Sequence, residues 1–86
     1  MKKYVKVIAE FDTNGKITPL EIIWDDDRRF IITHVSDIQR AASHAGGTGY
    51  KYTVIIEGKE RYLWLENIVF NKVVGAKWFL EVNKMG

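Results

Sequence analysis

The chain has 86 residues, 47% of them hydrophobic, so residues 1–86 are expected to form one small domain and no more. Thirteen Lys and Arg against eleven Asp and Glu leave a net charge of +2, well short of the basic excess of a dedicated nucleic-acid binder. There is no cysteine, which excludes disulfides and thiolate metal sites.

The chain begins "MKKYVKVIAEF". Lys6 and Glu10 interrupt the apolar stretch a signal peptide requires. No apolar run approaches the roughly 18 residues of a membrane span. A cytoplasmic protein with no membrane contact is expected. Period-two alternation puts Val5, Val7, Ala9 and Phe11 on one face and Tyr4, Lys6, Ile8 and Glu10 on the other, the pattern of a half-buried strand. Asn14-Gly15 predicts a hairpin turn, because both residue types tolerate positive φ. "ITPLEIIW" is the returning strand, and Pro19, lacking an N–H, predicts an edge or a bulge there.

"DDD", residues 25–27, predicts the next tight turn, leading into "RRFIITHV". Apolar groups on both of its faces predict a centrally buried strand, with His34 half-buried and its ring hydrogen-bonded. For residues 36–45 two readings stand. Ser36 with Gln39 matches a capping box and Gly46 a helix stop, which favours a short helical turn. The alternation of Val35, Asp37 and Gln39 against Ser36, Ile38 and Arg40 favours a continued strand. "YKYTVIIE" and "RYLWLE" then read as strands joined by a two-residue turn at Gly58-Lys59, and "AKWFLEV" as the last strand. "NIVFNKVVG", residues 67–75, extends the flanking pair irregularly, with Asn71-Lys72 as its turn.

These elements predict an all-β fold: a small antiparallel meander of about six strands forming a closed or half-closed, SH3-like barrel, since closure removes edges that a small sheet must otherwise protect. The run "IIWDDDRRFIITHVSDIQRAAS", then "GGTGYKYTVIIEGKERYLWLE" and "KWFLEV", resembles a group of short uncharacterised bacterial proteins of unknown function. The resemblance covers most of the chain from Ile22 onward and implies no activity. "DDD" replaces a tighter acidic-Gly turn of that group, and "NIVFNKVVG" is an insertion before the last strand.

No residue set satisfies the requirements of catalysis or of a cofactor. The glycines at 46, 47 and 49 precede a β-branched, aromatic segment, whereas a phosphate loop needs a helix start behind it. They are expected to serve a hairpin connection. Asp25, Asp26 and Asp27 lack the alternate spacing of a calcium loop and are flanked by Arg28 and Arg29, so they read as a solvated turn. His34 and His44 lack zinc partners. Ser43 and His44 adjoin in sequence, but neighbours on a strand point to opposite faces. A non-catalytic protein without metal or cofactor is expected.

Two sets remain. Ile68, Val69, Phe70, Val73 and Val74 exceed the apolar content of an exposed loop, and predict a surface for a protein partner or for a second copy. Arg40, Tyr50, Lys51, Tyr52, Arg61 and Tyr62, with Trp64, Lys77 and Trp78 nearby, are the residue types that bind single-stranded nucleic acid by stacking beside a basic groove. Part of that aromatic set must also fill the barrel.

Overall fold

A computed structural model describes residues 1–42, 48–70 and 73–82, with the backbone alone at residues 42, 48, 69, 70, 73 and 74. The described residues contain strands and no helix: β1 (Lys2–Phe11), β2 (Ile17–Ile23), β3 (Arg29–Ile31), β4 (His34–Ala42), β5 (Thr48–Ile56), β6 (Lys59–Phe70) and β7 (Val73–Glu81). They form one antiparallel sheet of seven strands in the order β3-β2-β1-β7-β6-β5-β4. Within 36–42 the strand reading holds and the helical one does not.

The sheet curls because its two edges are consecutive in the chain. Only Ile32 and Thr33 separate β3, at one edge, from β4, at the other. Three residue steps reach at most about 11 Å, so the edges must meet at this corner. Ile32 donates its N–H to the Leu20 carbonyl of β2, and Thr33 donates its own to the Ile55 carbonyl of β5. The segment expected as one central buried strand is thus two edge pieces. Ile31 is 57% exposed, and His34, expected half-buried, is exposed opposite Ile55. Its apolar residues serve β2 on one side and β5 on the other, which explains why both faces look apolar in sequence.

Two bulges complete the curl. Ala9 pairs with Pro19 but Ile8 with Glu21, so Leu20 is an extra residue in β2. Pro19 therefore sits beside a bulge, as its missing N–H predicts. In β4, Val35 pairs with Val54 but Asp37 with Thr53, so Ser36 is extra. The bulge keeps Val35 and Ile38 on one face, which strict alternation would separate.

The core lies on the concave face: Ile22, Ile32, Tyr52, Val54, Leu63 and Leu65 are buried, with Val5, Val7, Trp24, Phe30, Trp78 and Leu80 packed against them. The β1–β2 turn is not a two-residue turn. Gly15 donates to the Asp12 carbonyl and Asp12 to the Lys16 carbonyl, both at 3.0 Å, and of Thr13, Asn14 and Gly15 only Gly15 has positive φ. The β5–β6 turn falls one residue earlier than expected, at Glu57-Gly58, where both φ values are positive, with Ile56 paired to Lys59. The Asn71-Lys72 turn lies outside the described residues, and β6 and β7 stay in regular register up to it, from Leu63↔Leu80 to Phe70↔Val73.

Candidate binding surfaces

Strand order brings together residues far apart in sequence. On the convex face one rung runs Tyr4↔Phe79↔Trp64↔Lys51 across β1, β7, β6 and β5. The Phe79 and Trp64 rings stack in parallel planes with centroids 5.3 Å apart, and Tyr4 meets Phe79 edge-on at 5.7 Å. Tyr62 lies 6.2 Å from Trp64. Three lysines stand over these rings. Lys51 Nζ is 4.1 Å from the Tyr62 centroid, Lys2 Nζ 4.6 Å from Phe79 and Lys77 Nζ 5.0 Å from Tyr4. Each such contact is worth about 0.5–1 kcal/mol at an exposed site.

Glu66 anchors this array. One carboxylate oxygen accepts from the Tyr4 hydroxyl at 3.1 Å and the other from Lys2 Nζ at 3.3 Å. The bond to Glu66 holds the Tyr4 hydroxyl above its ordinary pKa, because the neutral phenol is the donor. Phe79 is only 8% exposed although it faces outward, so the convex face carries a small apolar cluster under a layer of ammonium groups.

The basic-aromatic residues expected to share one groove fall in four places. Lys51 and Tyr62 belong to the convex array, together with Trp64 and Lys77. Tyr52 is buried in the core, 3% exposed, and Trp78 packs 5.3 Å from it. Arg40 pairs in register with Tyr50, both exposed at the far end of β4 and β5. Arg61 stands on the concave face opposite Val54, at the mouth of the barrel. Sequence reading missed Lys2, Tyr4 and Phe79. Tyr4 carried the only hint: an aromatic on the polar side of an alternating strand.

The apolar set lies on the free end of the β6–β7 hairpin. Beyond Glu66↔Lys77, the pairs Asn67↔Ala76, Ile68↔Gly75, Val69↔Val74 and Phe70↔Val73 continue as a ribbon. Among the described residues β5 pairs with β6 only as far as Glu66, and β1 pairs with β7 only as far as Trp78. The side chain of Ile68 is half-buried, and those of Val69, Phe70, Val73 and Val74 lie outside the described ones.

The three aspartates act separately. Asp25 pairs with Lys3, Asp26 with Arg28 at 2.7 Å, and Asp27 occupies the left-handed turn position at φ 67°. The Arg28 side-chain bond holds the Asp26 carboxyl below the usual carboxylate range. Ser43, His44, Gly46 and Gly47 lie outside the described residues. Gly49 has no positive φ; it is glycine because a Cβ there would run into the Leu65 carbonyl of β6. No helix among the described residues is long and apolar enough to cross a membrane. Comparison with protein-family models, with curated proteins and with solved structures gives no match for this chain.

Proposed function

We propose that the protein is a non-catalytic interaction module that binds a protein partner, or a second copy of itself, through the free end of the β6–β7 ribbon. The supporting observation is the run of four pairs, from Asn67↔Ala76 to Phe70↔Val73, that continues in register without a described neighbour on either side. An isolated two-stranded ribbon is marginal in water. Among the described residues its edges have no partner strand, and an open edge offers N–H and C=O groups as the template for strand addition. Natural edges are blunted with charge or proline, whereas "NIVFNKVVGA" carries a single charged residue, Lys72. Light scattering on the eluting peak of a sizing column tests the self-association form: a dimer that Val73→Asp converts to monomer supports it, and a monomeric wild type removes it. In the partner form, a photo-crosslinking residue at position 68 captures a distinct protein that Val73→Asp loses. Crosslinks that are unchanged in Val73→Asp count against the ribbon.

The second reading is single-stranded nucleic acid on the convex face, carried by Lys51, Tyr62 and Trp64. A base stacking on Tyr62 displaces the Lys51 ammonium, at a cost of up to about 1 kcal/mol, and frees it for a phosphate. Anisotropy of a labelled oligothymidylate at two salt concentrations decides. Binding that weakens steeply with salt and falls in Lys51→Gln supports it. No binding at low salt ends it.

A further inference from the structure

A cleft of about 580 Å³ opens at the mouth of the barrel, between the β2–β3 turn, the β5–β6 turn and the end of β7. That size falls within the roughly 300–1,000 Å³ of small-molecule sites, and barrel mouths are among their preferred positions. Ile22, 1% exposed, forms its floor, and Trp24, Phe30, Ile56 and Leu80 form apolar walls. The Trp24 and Phe30 rings stand nearly perpendicular, at 88°, with centroids 6.3 Å apart. Two aromatic planes set this way make a corner for a flat ligand.

The charges around the cleft are not distributed evenly. Paired residues on neighbouring strands share a face. Lys59 pairs with Ile56 and Arg61 with the fully buried Val54, so both cations lie on the concave side. Glu60 pairs with Ile55 on the convex side, and Glu57 sits at the turn tip. Glu57 and Glu60 also line the cleft, without an ion-pair partner among the described residues, but they reach it from the turn tip and the convex side. Apart from Lys59 and Arg61, its other ionic groups are engaged. Arg28 is held by Asp26 at 2.7 Å over the Phe30 ring, and Glu81 takes the terminal ammonium at 3.0 Å. Among the described residues Lys59 and Arg61 have no carboxylate partner; Arg61 donates only to the Glu60 carbonyl, at 3.1 Å. Two cations side by side on the concave wall of an apolar cleft, neither paired to a carboxylate among the described residues, match an anion whose body is apolar.

We propose that this cleft binds a small organic anion with a flat apolar body, its ring system lying against Trp24 and Phe30 and its carboxylate meeting Arg61 and Lys59. The guanidinium fork fits a carboxylate in a two-bond geometry. The site is separate from the ribbon, so the two stand or fall independently.

The probe is 2-naphthoate, titrated into the full chain and followed by amide and indole NMR shifts, with 2-naphthylmethanol as the uncharged control. Naphthoate is expected to shift the Trp24 indole and the amides of residues 56–61, and the alcohol to bind at least tenfold more weakly. Arg61→Gln is exposed and keeps the fold, checked by unchanged shifts elsewhere. It is expected to weaken naphthoate roughly tenfold, the size of one charge-assisted hydrogen bond, and to leave the alcohol unaffected. Naphthoate that leaves these signals in place overturns the proposal. So does an alcohol that binds equally well, or an affinity that survives in the double variant Lys59→Gln, Arg61→Gln.

Discussion

The Tyr52 hydroxyl donates to the Ile17 carbonyl at 2.9 Å, linking β5 to β2, two strands that are not neighbours in the sheet. The bond spans the side where the curled sheet is open. Its ring fills the core against Trp78 while its oxygen bridges the open side. Tyr52→Phe keeps the first role and loses the second. The expected cost is about 1 kcal/mol, the net worth of one hydrogen bond. In a domain of this size that lowers Tm by roughly 4–8 °C, read by circular dichroism. An unchanged Tm would mean that the bond does not hold the open side.

The same residue gives an alkaline signature. Burial, and secondarily the neighbouring Tyr50, raise the Tyr52 pKa. A folded pKa above the unfolded value of about 10 means that the native state keeps its proton longer. That stabilisation is complete below about pH 10 and is lost as pH rises toward the raised native value. Urea midpoints are therefore expected to fall above pH 10 in the wild type and to fall less in Tyr52→Phe. The decline does not vanish in the variant, because Tyr4 is raised as well through Glu66.

Two turns share one geometry with different residues at the strained position. Gly15 donates to Asp12 and Asp12 to Lys16; Asp27 donates to Trp24 and Trp24 to Arg28. Gly15 has φ 85° and Asp27 φ 67°. A side chain at positive φ costs roughly 1–2 kcal/mol, less for Asp, which bonds locally. Gly15→Ala is expected to cost about 1–2 kcal/mol. Asp27→Gly changes stability by less than about 0.5 kcal/mol, because glycine's added freedom in the unfolded chain offsets the relief. Glu57, at φ 52°, lacks the short side chain that eases this conformation. Glu57→Gly should therefore stabilise by about 0.5–1 kcal/mol. Equal effects at Asp27 and Glu57 in denaturant melts would contradict the argument.

Alternation put Val5, Val7, Ala9 and Phe11 on one face of β1, and the all-β class followed from it; Val5 and Val7 pack on the core, whereas Phe11, at the strand's end, is 70% exposed. Where the reading failed, the curl of the sheet was the cause. Pro19 announced the bulge at Leu20, but nothing in the sequence marked the one at Ser36, which shifts the side-chain period of β4 by one where the sheet bends. The segment 29–35 serves two edges at once, a role invisible without strand order. The convex array was hidden for the same reason: Tyr4, Phe79, Trp64 and Lys51 sit on four strands and meet only through register. The β5–β6 turn slipped by one because a glycine fits either position of a two-residue turn. Pairing of Ile56 with Lys59 chose between them.

Gly49 and Gly75 separate a glycine needed for contact from one that is not. Gly49 is buried and pairs with Glu66, and a Cβ on it would run into backbone at Leu65, which cannot swing aside as a side chain can. Gly49→Ala must push β5 and β6 apart, and is expected to cost about 2–3 kcal/mol, the upper range for overpacking. Gly75 lies in the ribbon opposite Ile68, and a Cβ there meets nothing within 4 Å among the described residues. Gly75→Ala is expected to be neutral or to stabilise by up to about 1 kcal/mol, through the unfolded chain. Thermal melts of the two variants check the contrast. The first also reaches the convex face, because Glu66 holds Lys2 and Tyr4. Displacing β6 at this rung should loosen both contacts, so in Gly49→Ala the Tyr4 hydroxyl is expected to titrate nearer its ordinary value, followed by tyrosinate absorbance. If Gly49→Ala melts like the wild type, the two strands do not approach as closely as their register requires.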